Sequence, residues 1–386
     1  MIATAGGNPL FLEQLARHLR EQPDGRVTVP PALQGLLASR LDLLSATERT
    51  VLERGSIEGD VFHQEAVGAR PGPGGTVAVT GPVLDQVLDA LLRRDLIVPV
   101  ASGLGGRPAF GFRHRLIREA AYAMLTRADR AVLHEQHAAW LAGLVPPAAA
   151  SAELQAAHLE LAHGHLTAIG DPANQADRIA ARAGPLLTSA AGDAHRRGEL
   201  TAEIGLLDRA RRMLAPQPEA AAGLLPILAS ALAEAGTLGR AAEVAEAGER
   251  AGLELGLPAV RWRSAVERER SRLYADPARA DTEAALATVG QATGVFTTLG
   301  DDLGLARAHY LHAELLWMNG QPDSALRQCE RQVRHAQRAG AGFEAAVGQA
   351  YIAWSLVDGC IPVRQGLRRL AQLIAEAGDD RWLRSG

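Results

Sequence analysis

The chain has 386 residues, enough for roughly two or three domains with cores of their own, and its net charge of −4 gives it no global attraction to nucleic acid or anionic lipid. It has no lysine, since all forty basic residues are arginine, which excludes a P-loop lysine and a Schiff-base amine. Ala and Leu supply most of the 47% hydrophobic content and aromatics only 4%, a composition suited to packed helices. The two cysteines, Cys329 and Cys360, lie far apart in a chain with no signal-peptide pattern; a reducing, cytoplasmic setting without a disulfide framework is expected. No apolar run approaches the eighteen or so residues a bilayer requires, so no membrane partner is expected.

Residues 6 to 20 predict a helix capped by Asn8 with Pro9 in its first turn, and Leu12, Leu15, Ala16 and Leu19 form its apolar stripe. From Pro31 to Leu44 a second helix places Leu33, Leu36, Leu37, Leu41 and Leu44 on one face. Ser45-Ala46-Thr47-Glu48 is a capping box for a helix to about Glu53. A short helix over His63 to Val67 and a Gly/Pro-rich loop to Gly81 follow, then an amphipathic helix carrying Val83, Leu84, Val87, Leu88, Leu91 and Leu92. Leu96 to Val100 and Ala109 to Phe112 flank a turn and predict a β-hairpin; helices followed by a hairpin describe a winged helix. Leu116, Ile117, Ala120, Ala121 and Met124 then repeat at helical spacing, so a strand hands directly to a helix, with Arg113, His114 and Arg115 at the junction. Cations beside the free N–H groups of a helix start attract anions, although a charged strand end with a helix behind it explains the same residues.

Winged helices often bind DNA, but Asp85, Asp89 and Asp95 mark the helix before this wing, and Arg93 and Arg94 stand only at its end. Duplex affinity comes largely from neutralised phosphates, so nucleic acid is not an expected partner. A DNA-binding winged-helix regulator with a helical effector domain is the second reading. Ala128 to Leu144 predicts one more helix, and Pro146 to Ala150 a boundary. Beyond it, small residues recur near Gly198, Gly236, Ala275, Gly320 and Gly359, a period of about 40 that marks helical hairpins stacked as a solenoid. The sets Ala229, Gly236, Ala241 and Ala313, Gly320, Ala325 come close to the tetratricopeptide pattern. Trp262, Tyr274, Tyr310, Trp317 and Trp354 are expected to fill the repeat core, with one or two available to a concave binding face. His158, His163 and His165 with Glu160, and His134 with His137, lack metal-site spacing and predict solvated helix ends. No catalytic set of Ser, His and a carboxylate is legible.

Three runs resemble a known series: Gly7 to Leu15 (GNPLFLEQL), Leu33 to Asp42 (LQGLLASRLD) and Phe112 to Tyr122 (FRHRLIREAAY). Their order and spacing are similar to those of the STAND class of signalling ATPases, found in large LuxR-type regulators and ATPase-linked adenylate or guanylate cyclases. The resemblance implies a lid remnant over residues 1–29, a winged helix over 30–145 and tetratricopeptide-like repeats over 146–386, a mainly α fold. It also implies that Pro9 lies against a nucleotide base and that His114, with Arg113 beside it, faces the phosphates of ATP or ADP bound with Mg in the complete family member. The P-loop domain would precede Gly6, and the chain is read as a portion of such a regulator with no cofactor and no ATPase activity of its own. One charge-assisted hydrogen bond contributes about 1.5–3 kcal/mol, and a millimolar dissociation constant needs about 4 kcal/mol, so His114 alone does not retain ATP. The expected function is regulatory: an inducer, protein or small molecule, binds the repeats and shifts a nucleotide-dependent switch, with a missing ATPase domain as a further partner.

Overall fold

A computed structural model describes residues 39–68, 78–104, 106–144, 152–170, 174–358 and 362–377. The fold is mainly α, with one three-stranded sheet and a series of stacked helical hairpins. It divides into two compact units, residues 1–187 and 188–386. Pro9 and the predicted helix over residues 6 to 20 lie outside the described residues.

In the first unit, α1 spans Ala46–Glu58 and starts from the predicted capping box. Ser45 Oγ accepts from the Glu48 N–H at 3.2 Å and Glu48 Oε2 accepts from the Ser45 N–H at 2.8 Å, satisfying two donors that a helix start leaves open. The helix runs past Glu53 because Val51, Leu52 and Ile57 continue its buried side. Next come β1 (Val61–His63) and α2 (Gln64–Gly68). His63, expected to open a helix, instead ends a strand, because three residues are too few to show a two-residue period. Phe62 of β1 is fully buried, and a Cβ on Gly55 would stand 2.8 Å from its ring. The third helix, α3 (Pro82–Arg93), buries Leu84, Val87, Leu88 and Leu91. The predicted hairpin is β2 (Ile97–Val100) and β3 (Ala109–Phe112), antiparallel with Ile97 opposite Phe112 and Val100 opposite Ala109. β1 adds antiparallel to β3, giving the order β1-β3-β2. Helices α4 (Arg115–Met124), α5 (Arg127–Ala142) and α6 (Ala152–Ile169) follow, and the division between units falls inside α7 (Gln175–Arg197).

The second unit continues with α8 (Leu200–Met213), α9 (Pro218–Gly223), α10 (Leu225–Glu234), α11 (Leu238–Glu254), α12 (Pro258–Ala275), α13 (Thr282–Leu299), α14 (Asp302–Met318), α15 (Pro322–Arg338), α16 (Gly342–Asp358) and α17 (Val363–Ala377). Within it α8, α10, α12, α14 and α16 pack in succession, while α11, α13 and α15 stand between them in sequence. Gly236, Gly256, Gly300, Gly320 and Gly340 all end helices at φ between 66° and 75°, a conformation glycine adopts without a Cβ penalty. After each, the next residue closes the same bond, as in Thr237 N–H to Leu232 O and Gln321 N–H to Leu316 O, both 2.9 Å, which is the Schellman cap. The glycines therefore recur every 20 residues except between Gly256 and Gly300, where Asp276 is the C-cap of α12 instead; the 40-residue period read from the sequence catches alternate turns. Ala229, Ala241, Ala313 and Ala325, the small residues of the tetratricopeptide-like sets, are all fully buried.

At Gly252 the backbones of helices α11 and α12 come close together, and a Cβ there would lie 2.4 Å from Arg261 N and 2.7 Å from its Cα. Backbone cannot step aside as a flexible side chain can. Gly252→Ala is expected to destabilise by about 1–3 kcal/mol, read as a lowered urea midpoint. Gly239→Ala in the same helix meets open space and should stabilise by up to about 1 kcal/mol; equal effects at the two sites would refute the close-approach account.

Candidate ligand site in the helical repeats

The sequence-predicted residues His114 and Arg113 stand together where β3 passes into α4. His114 is the N-cap residue in extended backbone (φ −139°, ψ 138°) and is half-buried. Burial lowers its pKa, as do the Arg113 and Arg40 cations, while Asp95 opposes them. Arg113 Nε pairs with Asp95 Oδ1 at 3.4 Å, and the Arg113 N–H donates to Leu96 O at 3.0 Å. The ring therefore favours its neutral form, one nitrogen donating and the other accepting.

Three of the histidines read as solvated helix ends are instead buried, while His163 and His165 are partly exposed. His134, His137 and His158 are buried, and His134 Nδ1 lies 3.0 Å from His158 Nδ1. Tyr122 Oη lies 3.0 Å from His134 Nε2 and 2.8 Å from His165 Nε2. A neutral imidazole has one N–H, so the four groups form a line with one direction of donation: His165 to Tyr122 to His134 to His158, or the reverse. Burial first, and then the neighbouring His158, His165 and arginines, lower the pKa of His134 to about 3, and burial lowers that of His158 to about 4. Among the described residues no group of three His, Cys, Asp or Glu side chains is placed to hold a metal ion. The sequence hid the cluster because α4, α5 and α6 supply one or two members each.

A second set assembles around the hairpin turn. His63 Nδ1 bonds Glu58 and His63 Nε2 lies 2.9 Å from Ser102 Oγ. Serine, imidazole and carboxylate in that sequence is the connectivity of a nucleophilic triad. Here Ser102 Oγ also accepts the Leu104 N–H at 2.9 Å, so the amide nearest the serine holds the turn and does not face an oxyanion. The set fixes the turn between β2 and β3 to β1.

The largest assembly of ionised groups lies in the second unit. Arg307 on α14 donates from Nη1 to Glu267 Oε1 of α12 at 3.2 Å and from Nη2 to Glu344 Oε1 of α16 at 2.9 Å. Arg270 Nη2 pairs with Glu267 Oε2 at 2.8 Å and donates to Ser230 Oγ of α10 at 3.1 Å. Burial opposes the charge on Arg307, but Glu267 and Glu344 outweigh it and raise the pKa. Burial likewise opposes ionisation of Glu344, yet the charge and hydrogen bond of Arg307 hold its carboxyl below the usual range. One turn further along, the hydroxyls of Tyr274 and Tyr351 both reach Glu314 Oε1, and Tyr310 Oη lies 2.9 Å from Tyr274 Oη. Burial raises the pKa of Glu314 above the usual carboxylate range. Tyr274 and Trp354 are exposed, within the one or two aromatics expected to stand outside the repeat core. The partners stand 36 to 41 residues apart, one repeat period, so the sequence carried a signal for them in charged and tyrosine residues spaced by that period.

Two cavities open on this network. The larger, about 540 Å³, is lined by Leu207, Ile227, Leu303, Phe343, His195 and Glu203 among others. That volume falls in the range of small-molecule pockets, about 300–1,000 Å³. His195 Nδ1 lies 3.0 Å from Glu203 Oε2; this bond raises the His195 pKa against the effect of burial, with Glu203, Glu234 and Glu344 adding to it. The smaller cavity, about 120 Å³, is lined by Ser230, Glu234, Arg270, Tyr310 and Gln332, and shares Arg307, Phe343 and Glu344 with the larger.

Comparison with protein-family models and with curated proteins finds no match. Among solved structures, the chain is similar to a crystal structure of a signal transduction ATPase with numerous domains (STAND) protein with a tetratricopeptide repeat sensor from Pyrococcus horikoshii, at 15% identity and a TM-score of 0.38. The match covers 92% of this chain and 53% of that one, so the chain spans about half the length of this neighbour. Similarity at this level carries no argument about function.

Proposed function

We propose that the chain is a regulatory module in which the helical repeats bind an inducer and the first unit acts as the switch element of a STAND-type regulator. The observation that supports it is the pair of cavities walled by successive hairpins over a network of buried ion pairs. A ligand there touches α10, α12, α14 and α16 at once, and one that binds two arrangements of these helices unequally shifts their populations. In this reading the first unit is a winged helix, consistent with its order of helices, sheet and hairpin. His114, with Arg113 beside it, lies near the phosphates of a nucleotide held by a P-loop outside this chain, and Pro9 near its base. Mg-ATP added to the chain by itself should leave its melting temperature unchanged, since no lysine reaches the phosphates.

The alternative, DNA binding by the winged helix, is disfavoured by the charges on α3. Arg94 is engaged with Glu48, and Asp85 takes a hydrogen bond from Gln64, leaving little cationic surface for phosphates. The separating experiment is fluorescence anisotropy with a random 30-base-pair duplex at physiological salt, run beside a thermal-shift panel of small anions, cations and neutral metabolites. The sensor reading expects no duplex binding and at least one metabolite whose shift is abolished by Leu303→Trp, which fills the larger cavity. Salt-dependent duplex binding, or a panel with no shift sensitive to that substitution, would overturn it.

A further inference from the structure

We infer that the repeat cavities accept a small amphipathic amine, with its cationic nitrogen in the smaller chamber and its apolar body in the larger. The inference rests on the sensor reading and names the class of its ligand.

The charges of the network do not balance. Arg270, Arg307 and His195 face the carboxylates of Glu203, Glu234, Glu267 and Glu344. Even with His195 protonated, one negative charge is left over. Arg196 at the rim is engaged with Asp193 and does not make up the difference. Both guanidinium groups are committed within the protein. Arg307 spans Glu267 and Glu344, and Arg270 holds Glu267 and Ser230.

The residual carboxylate is Glu234. Its Oε1 accepts from Ser230 Oγ at 3.1 Å, while its Oε2 is buried without a hydrogen-bond partner. Burial raises its pKa, and Arg270, Arg307 and His195 pull the other way. In the same chamber Gln332, only 1% exposed, donates its amide to Glu344 O at 3.0 Å and leaves Oε1 without a partner. Two buried acceptors in one chamber, one of them a carboxylate, call for a ligand that donates from a positively charged group. One donor there is also unpartnered, Arg270 Nε, and a water or a ligand oxygen beside the ammonium satisfies it.

The chamber's size agrees. At about 120 Å³ it holds the equivalent of roughly four waters, at ~30 Å³ each, which leaves room for an ammonium head. Tyr310 and Phe343 line it, and aromatic faces attract cations. The larger chamber supplies the complementary surface in Leu207, Ile227, Leu303 and Phe343. An anion would find one unpartnered donor, Arg270 Nε, but would face two unpartnered acceptors, one of them the Glu234 carboxylate.

The test uses three compounds of similar size on the intact chain: 2-phenylethylamine, 2-phenylethanol and 3-phenylpropionate, titrated calorimetrically at pH 7. The amine is expected to bind at least about tenfold more tightly than the alcohol, with 3-phenylpropionate weakest. Glu234→Gln should remove about that tenfold preference. Binding of the alcohol or the acid as tight as that of the amine would overturn the amine assignment while leaving the sensor reading in place. An amine preference that survives Glu234→Gln would also overturn it. If none of the three binds, the amine assignment fails; the sensor reading is then judged by the metabolite panel and Leu303→Trp. The three-compound comparison on the unsubstituted chain stands whether or not Glu234→Gln folds.

Discussion

Acidifying from pH 7 to pH 5 should cost the first unit about 4 kcal/mol of stability, far more than surface histidines would produce. His134 and His158 are 2% and 6% exposed, with pKa values lowered by burial to about 3 and about 4 from the ordinary 6.5. The unfolded chain therefore takes up protons below pH 6.5 that the folded chain refuses until about pH 4, and the state that binds more protons gains as pH falls. Each group contributes at most about 1.4 kcal/mol per pH unit in that window, and two groups over about one and a half effective units give the total. The geometry sharpens the effect. One proton on the line from His165 to His158 can be accommodated by reversing a donor, but protons on both His134 and His158 set two N–H groups against each other across 3.0 Å. Hydrogen exchange of α5 and α6 at the two pH values reads this directly, because it reports the opening of those helices and not of the repeats. Replacing both residues with glutamine, which hydrogen-bonds but does not titrate, should flatten the dependence. An unchanged pH slope in the double variant would show that the loss comes from elsewhere.

This cluster marks where sequence reading stopped. Local rules carried over well: the Ser45 and Glu48 capping box, the apolar face of α3 and the hairpin of β2 and β3 each depend on residues close together in sequence. The buried alanines of the repeats carried over as well, because small residues at helix crossings recur with the period of the hairpin. Groups assembled from several elements did not. His134, His158, His165 and Tyr122 reach one another from α4, α5 and α6, and each taken by itself is one polar residue on a helix. Charged residues are read as solvated faces unless a partner is known. Glu267 and Arg270, 2% and 8% exposed, carry no local sign of that burial. Their partners lie one repeat away, so the ion-pair network becomes legible only when the chain is read at the 40-residue period and not at the helical one.

Removing the cation at the centre of that network should be the most damaging single substitution in the second unit. Arg307→Met keeps much of the side chain's volume but strands Glu344, whose carboxylate is 14% exposed, and leaves Glu267, at 2%, with Arg270 alone. Breaking a buried pair from one side typically costs about 3–5 kcal/mol, because the remaining charge stays desolvated. The pH dependence of the deficit distinguishes this cause from lost packing. In the unsubstituted chain Glu344 is held below the usual carboxylate range, so it contributes stability above about pH 4.5 that is lost as pH falls through its folded value. Without Arg307, burial, the largest influence on Glu344, is opposed only by a backbone hydrogen bond and by His195, and its pKa is expected to move above the ordinary value. Its contribution then has the opposite sign, present below about pH 4.5 and lost as pH rises through the raised value. The deficit of Arg307→Met relative to the unsubstituted chain is therefore expected to be largest at neutral pH and to shrink toward pH 4, and the histidine contribution of the first unit cancels in the difference. Adding Glu344→Gln to Arg307→Met should recover part of the loss at pH 7, since a neutral amide has less to lose on burial than a carboxylate. Paired urea titrations at pH 7 and pH 4.5 measure both effects. A deficit independent of pH, together with no recovery from Glu344→Gln, would mean that Arg307 serves the repeats through its hydrocarbon stem and that the ion pairs contribute little to holding α12, α14 and α16 together.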